Sequence, residues 1–285
     1  MSVLLIGGTG FLGSFVARRL TRTELIALVR PSSDRTILPA GVEVRVGDLG
    51  GEVPLEGVTT VVCCASMGFG HLPLLVQRLE AAGVERAVFV STTAIFTSLP
   101  ATSRTARLAA EYAVQSSRLT WTIVRPTMIY GTARDRNISR LLRLLDRWPV
   151  VPVCGNGLWQ PVYVEDVADA VVAALDSPLT PGRAYNLAGK APLRLSELIR
   201  AAADALGQRV WLVPVPLGMA VVTARLTRAV TPEQVWRLAE DKAFEYADAA
   251  RDFGFSPRSF EEGVRLEVQS LALPTRRRSP APRGR

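Results

Sequence analysis

Residues 3 to 13 read VLLIGGTGFLG, an apolar run of strand character that breaks into glycines and continues as FLGSFVARRL, whose apolar residues recur at helical spacing. Strand, glycine loop and helix, in that order, constrain the fold more than any other stretch of the chain. Gly7 permits a tight turn, Gly10 lets backbone approach a pyrophosphate, and Gly13 allows the helix to pack closely on the strand, with phosphate at the helix N-terminus. Thr9, Phe11 and Leu12 lie in the same loop and first helical turn and are expected to join the glycines in holding a dinucleotide.

The same alternation continues downstream. Short β-branched runs at 25 to 29, 42 to 46, 60 to 64, 87 to 91 and 120 to 124 are separated by amphipathic segments such as LPLLVQRLEAA. Strands that are apolar throughout and separated by helices predict a parallel sheet covered on both faces, a doubly wound α/β (Rossmann) fold. Beyond about residue 130 the pattern loosens into RNISRLLRLLDRW, VADAVVAAL and LSELIRAAADAL. The expected organisation is a dinucleotide-binding domain over 1–130 with 160–190 returning to it, a smaller, mostly helical substrate region over 131–159 and 191–270, and a disordered basic tail over 271–285.

Charge narrows the partners. The formal charge of +8 falls to +3 without Arg276, Arg277, Arg278, Arg283 and Arg285 of that tail, so no nucleic-acid-binding face is expected on the folded part. Cys63, Cys64 and Cys154 form neither a disulfide framework nor a metal-binding spacing, and His71 is the only histidine, so no metal site is expected. A reducing, cytoplasmic protein with no signal peptide is the resulting expectation. The stretch WLVPVPLGMAVVTA at 211 to 224 is too short to span a bilayer and holds two prolines. It is read as core or subunit interface, which leaves a homodimer, or peripheral contact with a membrane or larger complex, open.

The end of the second strand selects the cofactor. A carboxylate there favours the free ribose hydroxyl of NAD. Here the run is Val29-Arg30-Pro31-Ser32-Ser33, with no acid before Asp34, so Arg30 and two hydroxyls are better suited to a 2′-phosphate. NADP is favoured over NAD.

GGTGFLG, LVRPSS, GDL at 47 to 49, CCAS at 63 to 66, VSTTAIF at 90 to 96, VRPTMIYG at 124 to 131 and QPVYVEDVADAV at 160 to 171 occur in the order found in one family. Over about residues 1 to 190 the chain resembles the extended and atypical short-chain dehydrogenase/reductases, the NAD-dependent epimerase/dehydratase-like families. More narrowly it is similar to the atypical branch that includes the accessory NAD(P)-binding subunit of respiratory complex I. The resemblance implies that Asp48 and Leu49 bound the adenine, that Ala65 and Ser66 lie along the cofactor, and that Pro126 and Thr127 flank the nicotinamide. It places the family's catalytic serine or threonine on Thr93.

Active members of that family use a tyrosine to move the proton and a lysine four residues later to lower its pKa and hold the ribose. With Leu108-Ala109-Ala110-Glu111 as register, Ser103 takes the tyrosine position and Arg107 the lysine position. Arg107 can still supply charge and ribose hydrogen bonds. Ser103 titrates far too high to give a proton at neutral pH without a partner. Tyr112 lies about half a helical turn out of phase with Ser103.

Three other side chains are candidates for the proton: His71 in GFGHLP, Tyr130 after the RPTMI strand end, facing the cofactor, and Tyr163 on the substrate side. The bland alternatives are a helix-start histidine and packed tyrosines. Asp166 reads as a helix cap and Cys154 as lining. Trp148, Leu158 and Trp159 suggest apolar substrate walls. The expected function is therefore an NADP(H)-dependent oxidoreductase acting on an apolar carbonyl, enone or quinone-like small molecule with a non-standard proton donor. The alternative is a non-catalytic NAD(P)-binding subunit, assembly factor or redox sensor; sugar-nucleotide epimerisation or dehydration comes third, because it leans on the missing tyrosine.

Overall fold

The computed structural model describes residues 2–20, 24–99, 102–221 and 232–272, so the basic tail from residue 273 and the end of the 211 to 224 stretch lie outside the described residues. The chain divides into two compact units. The first comprises residues 1–127, 164–188 and 244–256, and the second 128–163, 189–243 and 257–285.

The first unit is built on seven parallel strands. In sequence these are β1 (Ser2–Ile6), β2 (Glu24–Val29), β3 (Glu43–Val46), β4 (Thr60–Cys63), β5 (Arg86–Val90), β6 (Thr120–Pro126) and, after four short strands of the second unit, β11 (Arg183–Leu187). Their order across the sheet is β11-β6-β5-β4-β1-β2-β3. The order reverses between β1 and β4, which pair in parallel from Val3 opposite Thr60 to Ile6 opposite Cys63. Leu4, Val61, Phe89 and Ile123 are fully buried, as both faces of a covered parallel sheet require. Helices α1 (Phe11–Arg19) and α5 (Val164–Asp176) pack together, as do α2 (Leu72–Ala81) and α3 (Thr102–Gln115). Arg19 in the last turn of α1 forms ion pairs with Asp169 and Glu165 of α5.

One segment departs from the sequence expectation. Residues 244–256, expected in the substrate region, belong to the first unit. Helix α8 (Ala247–Phe253) is tied to β11 by Asp252, whose Oδ2 accepts hydrogen bonds from Arg183 Nη1 at 2.9 Å and from the Tyr185 hydroxyl at 2.8 Å. Hydrogen bonds from Arg251 and Tyr185 hold the Asp252 carboxyl down at about 2. The partners are nearly seventy residues apart, so no local pattern announces them.

The second unit combines α4 (Ile138–Arg147), α6 (Leu195–Ala205), α7 (Pro232–Ala239) and α9 (Phe260–Ser270) with three two-stranded ladders. These pair β7 (Ile129–Tyr130) with β10 (Val162–Tyr163), β9 (Leu158–Trp159) with β12 (Leu193–Arg194), and β8 (Val150–Cys154) with β13 (Trp211–Val215). Leu142, Leu198, Leu206 and Val264 form its buried centre. Among the described residues no helix is long and apolar enough to cross a membrane.

Candidate functional site

A cleft of about 550 Å³ opens at the carboxyl ends of β1, β2, β3 and β4, where the strand order reverses. This is the place at which doubly wound sheets bind ligands. Its floor is the loop from Ile6 through Gly10. Gly7 holds φ at +82°, and a Cβ there would lie 3.0 Å from Ala65 N; a Cβ on Gly13 would lie 2.1 Å from Gly7 O. The glycines therefore let helix, loop and the β4 end approach to distances that no other residue allows. Helix α1 starts at Gly10 with no side-chain cap and no acid in its first turn, leaving its first N–H groups and the positive end of its dipole for an anion. These features fit the pyrophosphate of a dinucleotide.

Gly7, Thr9 and Gly10 line this cleft together with Asp48, Leu49, Ala65 and Ser66. Phe11, Leu12 and Gly13 form the first turn of α1 beneath it. Arg30 and Ser33 come from the end of β2. Their turn is closed by Ser33 N–H donating to the Arg30 carbonyl at 3.0 Å and Arg30 N–H donating to Ser33 Oγ at 3.2 Å. Asp34 caps the following turn, accepting from Thr36 N–H at 3.0 Å and Thr36 Oγ1 at 2.6 Å. Asp48 Oδ1 accepts from Gly50 N–H at 2.9 Å, which fixes the loop after β3.

His71 also lines the cleft, at the residue that starts α2. A Cβ on Gly50 would lie 3.3 Å from His71 Cε1 and 3.4 Å from Asp48 Oδ1, so the imidazole stands on the Asp48 side, which the resemblance assigns to adenine. The 3-10 turn Met67–Phe69 after β4 redirects the chain before α2 begins. That turn also presents Phe69, 75% exposed, to the cleft. Sequence reasoning missed Phe69; an aromatic in a glycine-flanked stretch after a strand was the available signal.

Helix α3 carries the positions where chemistry was sought. Arg107 Nη1 donates to Ser103 Oγ at 3.3 Å. The Arg107 Nε lies 3.5 Å from where a Cβ on Gly68 would be, against the turn that forms the cleft wall. One helical turn beyond, Glu111 accepts from Arg125 of β6, with Nη2 to Oε2 at 2.6 Å and Nε to Oε1 at 3.0 Å. Arg125 also lies over the Phe96 ring at 5.4 Å. Thr93 is buried at the C-terminal end of β5 and its Oγ1 donates to the Pro126 carbonyl at 3.5 Å. Thr127 N–H donates to the Leu187 carbonyl, joining the ends of β6 and β11.

Tyr130, read from the sequence as facing the cofactor, and Tyr163, read as lying on the substrate side, are both packed tyrosines instead. Both belong to the second unit and are buried in its core. β7 and β10 pair Tyr130 with Tyr163, and the rings meet edge to face at 5.5 Å. The Tyr130 hydroxyl donates to the Phe260 carbonyl at 3.4 Å, and a Cβ on Gly263 would lie 2.1 Å from it. The pairing of two strand ends turned both rings toward α9. Of the cysteines, Cys64 lines the cleft, but burial pushes its thiol well up, and pushes that of Cys63 to about 11. Neither is a thiolate at neutral pH. Among the described residues no group of three His, Cys, Asp or Glu side chains is placed to hold a metal ion.

The comparisons agree with this geometry. A family model described as NAD(P)H-binding matches residues 7–178. The chain is similar to NADH dehydrogenase [ubiquinone] 1 alpha subcomplex subunit 9, mitochondrial, of Arabidopsis thaliana, at 28% identity over 77% of this chain and 62% of that one, so it spans less than two thirds of that relative. It is also similar to an NAD(P)H azoreductase of Xenophilus azovorans, 28% identical over 76% of this chain and 78% of that one. Among solved structures, the UDP-glucose 4-epimerase of Thermus thermophilus in complex with NAD superposes with a TM-score of 0.72 at 24% identity, covering 95% of this chain and 98% of that one.

Proposed function

Because the chain belongs to the NAD(P)H-binding family, we propose that it is an NADPH-dependent oxidoreductase whose acceptor is an apolar carbonyl, enone or quinone-like molecule. The observation that carries the choice of cofactor is the pair Arg30 and Ser33 on the cleft wall, with Asp34 turned onto Thr36. A guanidinium and a hydroxyl at the end of β2 favour a ribose 2′-phosphate and offer no carboxylate to repel it.

When bound, the nicotinamide supplies a hydride to the acceptor. The chain's own residues bind and orient. The N–H groups of α1 hold the pyrophosphate, Asp48 fixes the loop on the adenine side, and Arg107 bears on the wall formed by residues 66 to 69. Neither Tyr130 nor Tyr163 is given the proton in this reading, and Ser103 is acceptor to Arg107. Water therefore supplies it. The balance is one hydride and one proton added to the acceptor for each NADPH oxidised, which suits acceptors whose reduced anion is itself stable, quinones above all.

A second reading is favoured by the Ser103 and Arg107 pair, which replaces the proton-moving tyrosine and lysine. It is an NAD(P)H-holding structural subunit without turnover; the mitochondrial relative is by its name a subunit of a larger complex. Calorimetric titration with NADPH and NADH, followed by NADPH oxidation assays with quinones and enones, separates the two. Tight NADPH binding with acceptor-dependent oxidation supports the oxidoreductase. Binding without oxidation across the acceptor panel supports the subunit, and binding of neither nucleotide overturns both.

A further inference from the structure

The ladder of β8 and β13 buries one face only. The two strands run parallel with Trp211 opposite Val150 and Val213 opposite Pro152. Val151 is buried and Leu212 packs against the core of the second unit, whereas Trp211 is 73% exposed, Val150 53% and Val213 46%. Trp148, 63% exposed, is extended at φ −129° and ψ 119° and lies two residues before Val150, so it continues the outward alternation. The Trp211 N–H donates to the Pro149 carbonyl at 2.7 Å, which locks the two tryptophan segments side by side. Two tryptophans, two valines and a proline thus share one open face, where a solitary soluble ladder would carry polar residues.

The two segments that build that face carry more basic than acidic side chains. Arg147 immediately precedes Trp148 and Arg209 lies two residues before Trp211, so a guanidinium stands at the same end of both strands. Helix α4, which runs into β8 through Trp148, exposes Arg140, Arg143 and Leu144 on its outer side. The acids of residues 134–154 are Asp135, which is buried, and Asp146, which is half-buried and accepts from Gln208 Nε2; residues 207–221 contain none. A second copy would bring the same excess of arginine to the contact, whereas an occupant that is apolar inside and anionic at its surface complements both the tryptophans and the charge. We propose that this face docks on an anionic lipid bilayer, with Trp148 and Trp211 at the headgroup level and Arg147 and Arg209 on the phosphates.

The test uses the full chain and sedimentation with vesicles of phosphatidylcholine alone or with about a third phosphatidylglycerol, a composition in which the basic face has anions to meet. Expected are at least about tenfold tighter binding to the anionic vesicles, weakening with salt, and at least about a tenfold loss in each of the pairs Trp148→Ser/Trp211→Ser and Arg147→Glu/Arg209→Glu. Brominated lipid in the same vesicles should quench tryptophan emission of the unaltered protein, a readout that does not depend on any variant folding. Absence of both sedimentation and quenching overturns the proposal. So does binding that survives both pairs and is lost when residues 273–285 are removed, which would assign it to the arginine tail. Concentration-dependent dimerisation abolished by the tryptophan pair, without lipid binding, would make the face an interface between copies instead.

Discussion

The Arg107 guanidinium donates a hydrogen bond to Ser103 Oγ at 3.3 Å, one helical turn away on α3. The resemblance places a proton-moving tyrosine and its lysine at these two positions, where this chain has serine and arginine. Arg107 also lies along the Gly68 turn of the cleft wall. Its remaining role in the proposed function is electrostatic. Arg107→Met should weaken NADPH binding by about tenfold or more, the worth of one charge-assisted hydrogen bond, while leaving the melting temperature nearly unchanged. Equal affinity for the variant, measured by calorimetry, would remove Arg107 from the site.

Arg30 discriminates between the two nucleotides. Arg30→Ala should lower NADPH affinity by roughly 10- to 100-fold and leave NADH affinity within about twofold, because only the 2′-phosphate loses a partner. A parallel loss for both nucleotides would show that Arg30 acts on the loop rather than on the phosphate.

Glu111 and Arg125 fix the register of α3 against β6. Their side chains are 4% and 15% exposed, and the guanidinium is bound in two places. Removing one partner leaves the other charge buried, so Glu111→Leu or Arg125→Leu should each cost about 3–5 kcal/mol of stability, whereas the double substitution should cost less than either. Chemical denaturation of the three variants tests this. A double variant as unstable as the sum of the singles would mean that the two groups act independently.

The second unit contains a buried acid. Glu267 is fully buried facing Asp135, and burial raises its carboxyl to about 10, helped by that neighbour. The folded state therefore keeps the proton that the unfolded chain releases above its ordinary value of 4.5. This contribution is fully present below about pH 4.5 and is lost progressively as pH rises toward 10. Glu267→Gln, which is neutral throughout, should flatten the fall of melting temperature over that range and melt higher than the parent at pH 8 by at least about 2–4 °C, the shift of one kcal/mol in a chain of this size. Parallel pH profiles for parent and variant would show that the carboxyl titrates normally.

The physical basis of what could be read in advance is local. Apolar runs in six strands, a glycine loop between strand and helix, and the absence of an acid before Asp34 each depend on neighbours within a few residues, and the sheet and the dinucleotide cleft follow from them. His71, Tyr130 and Tyr163 were different. Their side-chain positions depend on the turn after β4 and on the pairing of β7 with β10, and a motif that names a strand end does not say which way its last side chain turns.

The sequence by itself determined the parallel architecture and the glycine loop between first strand and helix, because each is written in residue types at fixed short spacings. Tertiary structure alone decided that residues 244–256 rejoin the first unit through Asp252, that two candidate tyrosines are buried core, and that Trp148 and Trp211 share one open face. Those outcomes come from contacts between residues tens of positions apart, where burial and hydrogen-bond partners are set by which elements meet.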